Sequence, residues 1–199
     1  MVTVSTLKSE ARSYHHGDLR SALVAAGLKA LETTEVADLS LRQLAREVGV
    51  SATAVYRHFP DKQALLRALA DEGITLLGEA QQLAAGSAQN EAEAFAATGR
   101  AYVRFALAHP ALFRLVFSHC EPLGDTVFGQ SLAARLLQDQ AGLATGNDPS
   151  ATRRLMIQAW AVVHGLAMLM LDGQLPAEDA LIDQVIDRAT LFPRATSAT

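Results

Sequence analysis

The stretch Ser40–Phe59 reads SLRQLAREVGVSATAVYRHF and contains two short helical segments on either side of one glycine. Ser40 stands three residues before Gln43, the spacing of a capping box, in which each side chain binds the other residue's free backbone N–H. Gly49 suits the left-handed end of a helix, and Ser51 suits the N-cap of the next helix. The stretch therefore predicts a helix-turn-helix whose second helix has only about two turns.

The second helix of this pair offers little to bury. In the whole pair, the residues predicted to face inward are Leu44, Ala45, Val48, Val50 and Val55. Only Val55 belongs to the second helix. Small residues at its start would let the backbone approach base edges in a DNA major groove, and longer donors near its end would reach phosphates. The same spacing also fits a helical corner in an ordinary bundle. Spacing alone leaves both interpretations open.

The composition predicts a folded, all-α protein. Half of the 199 residues are hydrophobic and 19% are charged, and no run alternates polar and apolar residues as a half-buried strand does. The net charge of −4 is unevenly spread, because residues 1–62 carry eight Lys and Arg against seven Asp and Glu, whereas residues 63–199 carry nine against fourteen. The acidic surplus lies in the later part, so the overall charge does not exclude a nucleic-acid partner.

The cysteine content and the apolar runs indicate the compartment. Cys120 is the only cysteine, which excludes an internal disulfide and fits a reducing environment. The N-terminal residues lack a signal-peptide pattern. The most apolar run, residues 159–171, is shorter than the roughly 20 residues that a membrane-spanning helix needs. We predict a cytoplasmic protein without a membrane partner, in which this run forms a buried core helix.

Apolar periodicity divides the rest of the chain into helices. One helix is predicted from Asp18, and Asp61 is predicted to cap a long one that ends at a polar break over residues 85–90. Further helices are predicted at 91–108, 110–118, 125–144, 149–171 and 177–192, with Pro110, Pro149 and Pro176 in first turns. We expect about nine helices in two domains, residues 14–62 and residues 63–193, connected by a helix at 63–85.

Two quoted segments carry a family resemblance. YHHGDLRSALVAAG (14–27) and LSLRQLAREVGVSATAVYRHFPDKQALLRAL (39–69) closely resemble the TetR/AcrR family of transcriptional regulators. Trp160, His164 and Gly165, together with HPALFRLVF (109–117), resemble the C-terminal domain type named for its Trp-His-Gly signature. The resemblance implies an N-terminal three-helix DNA-binding domain with a helix-turn-helix, followed by a C-terminal helical domain for ligand binding and dimerisation.

The resemblance also implies which residues touch DNA. The nine positions are Ser40, Arg42, Ser51, Ala52, Thr53, Ala54, Tyr56, His58 and Lys62. The first two would meet the backbone, with Arg42 also within reach of a base, and the residues from 51 to 54 would lie over base edges. Tyr56, His58 and Lys62 would bind phosphates. Some family members carry Gln or Arg where this chain has alanines, so thymine-methyl contact or DNA shape would contribute more than direct hydrogen bonds.

Aromatic residues on the later helices predict a ligand pocket. The predicted lining residues are Phe95, Tyr102, Phe105, Phe117, Trp160 and His164. Trp160 and His164 are four residues apart and therefore share a helix face, where an indole and an imidazole could stack on and anchor a small molecule. The alternative is simple packing, with Trp160 as a core anchor and His164 bonded to a backbone carbonyl.

Catalytic and metal-binding patterns are weak. No Ser–His–Asp set or glycine-rich loop stands out, so we predict neither an enzyme nor a cofactor. His109, His119 and His164 could join Cys120 as zinc ligands, but only the adjacent His119 and Cys120 lie close in sequence. We therefore predict no metal site.

These observations predict a homodimeric DNA-binding transcriptional regulator. We expect a repressor that binds an inverted-repeat operator and is released by a small apolar or amphipathic ligand. The alternatives are a DNA-bound organiser without an inducer and, with less support, a small helical ligand carrier or enzyme. The last two predicted helices would form the dimer contact through Leu155, Met168, Leu171, Leu181, Val185, Ile186 and Leu191.

Overall fold

The computed structural model describes the backbone of residues 16–118 and 130–187, and side chains from residue 19 onward. Within these residues the chain forms nine α-helices and one short 3₁₀ turn, with no strand. The elements are α1 (His16–Ala30), the 3₁₀ turn (Val36–Asp38), α2 (Leu41–Val48), α3 (Ala52–His58), α4 (Lys62–Gly86), α5 (Glu91–Ala108), α6 (Pro110–Ser118), α7 (Leu132–Ala144), α8 (Pro149–Leu171) and α9 (Asp179–Val185). The all-α prediction is confirmed.

Local turn chemistry sets the boundaries of the helix-turn-helix. Gly49 ends α2 with φ of 78°, a left-handed conformation that L side chains rarely adopt. The Ser51 hydroxyl accepts a hydrogen bond from the Ala54 N–H at 3.2 Å and caps α3. The Asp61 carboxylate accepts from the Ala64 N–H at 2.7 Å and caps α4. These three predicted helix ends are confirmed.

The predicted capping box at the start of α2 is wrong. Ser40 occupies the N-cap position in an extended conformation, but its side chain makes no capping hydrogen bond. The Gln43 side chain instead donates to the Glu47 carboxylate at 3.2 Å. The Gln43 side chain therefore contacts a residue one turn further along the helix and not the preceding Ser40.

Helix α4 connects the N-terminal helices to the rest of the protein. Leu65 and Leu69 are fully buried near its start, and Leu77 is buried further along. At Gly73 a Cβ atom would lie only 2.7 Å from Val116 Cγ2, so the glycine allows α6 to cross α4 closely. One continuous hydrophobic core extends from α1 to the end of α9. The two parts of the chain are therefore packed on a shared helix.

Helix α8 packs against the other later helices with one of its sides. Met156, Val163 and Leu166 are buried on one side of it, where it packs against α5 and α7. Among the described residues, α8 alone is long and apolar enough to cross a membrane by those two criteria. The predicted buried core helix is correct for one side only, because Val162 and Leu169 are exposed on the other side.

The end of the chain differs from the prediction. Helix α9 begins at Asp179, so Pro176 precedes the helix rather than lying in its first turn. Ile186, predicted as a dimer contact, is fully buried, because it packs so closely on Gly99 that a Cβ there would lie 2.9 Å from Ile186 Cγ2. It therefore belongs to the core of the subunit. Leu191, like the predicted helical residues 125–129 and 188–192, lies outside the described residues.

Candidate DNA-binding surface and aromatic cluster

Helix α3 presents a polar face on a buried anchor. Val55 is fully buried and holds the helix to the core, whereas Thr53, Tyr56 and Arg57 are exposed on the opposite side. The N-cap Ser51 is also exposed, and Ala52, Ala54 and His58 are half-buried at the margins. The small residues keep the start of this face low, as close approach to a nucleic-acid groove requires.

The cations of α1 to α3 have no carboxylate partners within the described part of the chain. Arg42 and Arg46 are exposed one turn apart on α2, beside a half-buried Ser40. Every ion pair among the described residues lies between residues 93 and 183. The guanidinium of Arg20 instead lies 5.3 Å from the ring centre of Phe59. Exposed and unpaired cations of this kind are available to phosphates.

Lys62 has a structural contact that the sequence did not indicate. Its ammonium group donates a hydrogen bond to the Ala37 carbonyl at 2.5 Å. This bond joins the first residue of α4 to the 3₁₀ turn. An ammonium group has three donors, so the contact leaves two for a phosphate oxygen.

Arg57 is the residue that the predicted DNA-binding set omitted. It stands four residues after Thr53, so the two side chains are neighbours on the exposed face of α3. This spacing in the sequence could have identified Arg57 as part of the exposed face. We add Arg57 to the nine predicted positions.

Within the described residues, five aromatic rings from three helices meet in one cluster. Tyr102 comes from α5, Phe113 and Phe117 from α6, and Trp160 and His164 from α8; we call these five residues the aromatic cluster. The ring centres of Tyr102 and Phe113 are 5.5 Å apart and nearly perpendicular, and those of Phe117 and His164 are 4.9 Å apart. Such edge-to-face arrangements stabilise aromatic pairs.

A chain of hydrogen bonds runs through the aromatic cluster. The Trp160 indole N–H donates to the Tyr102 hydroxyl at 3.2 Å, and that hydroxyl lies 2.9 Å from His164 Nδ1. Burial lowers the pKa of the His164 imidazole below its ordinary value, so the ring is neutral at pH 7. The packing alternative gave His164 a backbone carbonyl as its partner, whereas here the partner is a side chain.

The structure brings together four of the six predicted pocket residues. Tyr102, Phe117, Trp160 and His164 are in the aromatic cluster, which also contains Phe113. The ring of Phe105 lies against His109, with 4.9 Å between ring centres. Phe95 precedes Tyr102 by seven residues on α5, which places it about 10 Å away along the helix.

A separate cleft of about 630 Å³ lies between the end of α4 and α5. Four alanines, Arg100 and Arg104 are among the residues that line it. None of the predicted pocket residues lines it. Arg104 donates to Asp179 at 2.7 Å and to Asp183 at 3.0 Å. The hydrogen bond to Asp179 is the main cause that raises the pKa of Arg104. These pairs join α5 to α9.

In residues 16–118 and 130–187, no group of three His, Cys, Asp or Glu side chains could hold a metal ion. His119 and Cys120, which the sequence raised as zinc ligands, lie outside those ranges.

Two family models match the chain. Residues 23–69 match the model described as bacterial regulatory proteins, tetR family. Residues 95–191 match the tetracyclin repressor-like C-terminal domain. No curated protein matches.

Several solved structures have the same fold. A protein of unknown function from Rhodococcus sp. RHA1 is 37% identical, with 90% of this chain and 95% of that chain covered and a TM-score of 0.73. A tetR-family transcriptional regulator from Streptomyces coelicolor is 18% identical, with coverages of 89% and 81% and a TM-score of 0.56. A TetR variant from Acinetobacter baumannii in complex with minocycline is 18% identical, with coverages of 90% and 93% and a TM-score of 0.59.

One family model covers the helix-turn-helix, and the other covers the helices from α5 to α9. Regulators of this family are soluble DNA-binding proteins that usually act as dimers. The Trp-His-Gly subtype of the C-terminal domain stays a prediction. The chain belongs to the TetR family of DNA-binding transcriptional regulators.

Proposed function

We propose that this protein is a homodimeric repressor that binds an inverted-repeat operator and is released by a small apolar or amphipathic ligand. The observation that supports it best is the physical connection between the aromatic cluster and the helix-turn-helix. The division into a DNA-binding domain (14–62) and a ligand-binding and dimerisation domain (63–193) is part of this proposal, as is the cytoplasmic location.

The DNA contacts would come from the exposed faces of α2 and α3. Thr53 and the flanking alanines would lie over base edges, where a methyl group can contact thymine. Tyr56 and Arg57 would reach phosphates, and the remaining donors of Lys62 would add a contact at the start of α4. The predicted residues Ser40, Arg42, Ser51 and His58 lie around the same face. Phosphate contacts of this kind fix orientation and carry no sequence information.

The two-fold contact would use the outward side of α8. Ile157, Val162 and Leu169 are exposed there, opposite the buried side of the helix. Gly165 lies on the same side, and a Cβ atom at this position would meet nothing within 4 Å in the described part of the chain. Exposed apolar residues beside a glycine favour close contact with a second helix. A copy of the same helix would satisfy two-fold symmetry.

The effector would bind at the aromatic cluster. Trp160, Phe117 and His164 are each half-buried, so part of their surface is open to a small molecule. A neutral imidazole and a hydroxyl among apolar rings match the usual make-up of ligand sites, in which a few polar groups orient a largely apolar ligand.

Helix α6 would carry the signal from this cluster to the DNA. It bears Phe113 and Phe117, crosses α4 at Gly73 and contacts the 3₁₀ turn. The Ala37 carbonyl of that turn is bound by Lys62 at the start of α4. A ligand that displaces α6 would therefore shift both the turn before α2 and the helix after α3. Its effect on operator affinity cannot exceed its difference in affinity for the two conformations.

Selection of bound duplexes from a random DNA pool tests the DNA part of this proposal. The wild-type protein should recover an inverted repeat. The Gly165→Leu variant adds a side chain in open space and should keep its subunit fold but recover single half-sites or nothing. Gly86→Leu is the matched control, since a Cβ at Gly86 also meets nothing within 4 Å. Recovery of an unsymmetrical sequence by the wild type, or of the full repeat by a monomeric Gly165→Leu protein, would contradict the proposal.

A further inference from the structure

The hydrogen-bond chain in the aromatic cluster begins with a group that can only donate. An indole N–H can only donate, so Trp160 gives its proton to the Tyr102 oxygen. The Tyr102 hydroxyl can then donate its own proton to His164 Nδ1, 2.9 Å away. Donation in one direction polarises each successive group and strengthens the chain. His164 Nδ1 is then the acceptor of the chain.

Donation from Tyr102 to His164 would set the tautomer of His164. A neutral imidazole carries one proton, and if Nδ1 accepts, the proton is on Nε2. The ring is neutral because burial lowers its pKa. Among the described residues, the hydrogen bond to Tyr102 is the one that His164 makes, so Nε2–H would then have no partner among them, on a half-buried ring.

Within the described part of the chain, the rings that surround the His164 imidazole are aromatic side chains. The ring centres of Phe117 and Trp160 lie 4.9 Å and 5.8 Å from that of His164, and Phe113 lies 5.6 Å away. The His164 imidazole is neutral at pH 7, and the other four rings belong to tyrosine, phenylalanine and tryptophan. A charged ligand would lose hydration here without gaining an opposite charge from these five side chains.

We infer that Tyr102 donates to His164 Nδ1, and that the effector is an uncharged aromatic molecule with a hydrogen-bond acceptor, such as an aryl ketone or aldehyde, whose oxygen accepts from His164 Nε2–H. Its ring packs against Phe117 and Trp160. Tyr102 is a positioning residue, because its hydroxyl holds His164 in the donating tautomer. This inference rests on the proposed effector site and adds the chemical class of the ligand.

Acetophenone and ethylbenzene test the inference, because the two are similar in size and differ in the carbonyl group. Their dissociation constants are measured by calorimetry on the full chain, and the indole N–H signal in a nitrogen–proton NMR spectrum reports the site. The chain contains one tryptophan, so this signal belongs to Trp160. The measured quantity is the ratio of the affinity for acetophenone to the affinity for ethylbenzene. The apolar contribution that the two ligands share cancels in this ratio.

The His164→Phe variant should lower this ratio roughly tenfold, as expected for loss of one buried hydrogen bond. Tyr102→Phe should lower it in the same direction by a smaller factor, because the imidazole can then adopt either tautomer. A purely structural role for Tyr102 would weaken both ligands equally and leave the ratio unchanged, which would overturn the tautomer assignment.

The remaining outcomes separate this inference from the proposed effector site. Binding of both probes with a ratio unaffected by His164→Phe would overturn the inference and leave the site in place. Absence of binding, with no shift of the Trp160 signal, would overturn both. A measurement on the wild type alone covers the case in which a variant fails to fold: at pH 7 benzoate should bind at least roughly tenfold more weakly than acetophenone, and equal or tighter binding of benzoate would overturn the inference.

Discussion

The arginines of the helix-turn-helix and those of the later helices differ in whether they pair with carboxylates. In α2 and α3 the cations Arg42, Arg46 and Arg57 are exposed and have no carboxylate partner among the described residues. In the later helices Arg104 binds two aspartates of α9, and Arg114 binds Asp172 at 2.5 Å.

This difference separates arginines that stabilise the fold from arginines that we propose bind DNA. A paired arginine joins two helices of the same chain. An unpaired one on a surface formed of small residues adds nothing comparable to stability, and it stays available to an anion. The contrast also explains why the net charge of −4 says little about DNA binding, since the acidic surplus lies in the later part of the chain.

The largest expected effect tests whether the two regions share one core. Phe59 and Phe113 are both fully buried, one at the end of α3 and the other on α6. Replacing either by alanine should lower the free energy of unfolding by about 3–5 kcal/mol. Because the core is continuous, both variants should shift a single thermal transition measured by circular dichroism. A separate early transition in Phe59→Ala alone would show that the helix-turn-helix unfolds independently. Leu83→Ala is the control, since Leu83 is 76% exposed.

The second prediction concerns the unpaired arginines. Arg42→Ala and Arg57→Ala should each weaken operator binding roughly tenfold and reduce the slope of affinity against salt by about one unit. The charge-matched control is Arg153→Ala, an exposed arginine at the start of α8, which should leave both quantities unchanged. Titrations of labelled operator at several salt concentrations measure both. Equal effects of all three substitutions would show that overall charge determines DNA affinity and that the position of the arginine does not.

A smaller effect on stability distinguishes two serines that the sequence places at N-cap positions. Ser51→Ala removes a capping hydrogen bond and should lower the free energy of unfolding by about 1 kcal/mol. The Ser40 side chain makes no such bond, so Ser40→Ala should change it by less than about 0.5 kcal/mol. Urea unfolding without DNA measures both. A loss in Ser40→Ala as large as that in Ser51→Ala would restore the capping box.

The smallest effect concerns pH and the aromatic cluster. The pKa of His164 is lowered in the folded protein, so the unfolded chain binds this proton more readily. The contribution of His164 to stability is therefore complete above the ordinary pKa of 6.5 and is lost as the pH falls towards the folded value. Between pH 7.5 and 5.5 the urea midpoint should fall less in His164→Gln than in the wild type or in His109→Gln. The same fall in all three proteins would contradict this assignment.

The features that the sequence predicted correctly depend on neighbouring residues. Gly49, Ser51 and Asp61 set their helix ends through contacts within four residues, so their spacing in the sequence is sufficient. The inward positions Leu44, Ala45 and Val55 follow from helical periodicity for the same reason. Ser40 shows the limit of this reasoning, because a competing local partner for Gln43 was equally visible in the sequence.

The features that the sequence missed depend on contacts between distant elements. The burial of Ile186 results from packing on Gly99, and Arg104 meets Asp179 across 75 positions. Helical periodicity identified Tyr102 and Phe105 as inward aromatic residues, but it could not tell that one lies beside His164 and the other beside His109. Likewise, the bond between Lys62 and the Ala37 carbonyl depends on where the 3₁₀ turn lies in space.

The central claim is that two copies of α3 read DNA across a two-fold axis, and half-site spacing tests it most directly. An operator recovered by selection is compared with the same operator carrying five extra base pairs at its centre, about half a turn of the double helix. We predict that this insertion lowers the affinity of the wild-type protein to that of unrelated DNA, by about a thousandfold or more. Unchanged affinity for the lengthened operator would contradict the account.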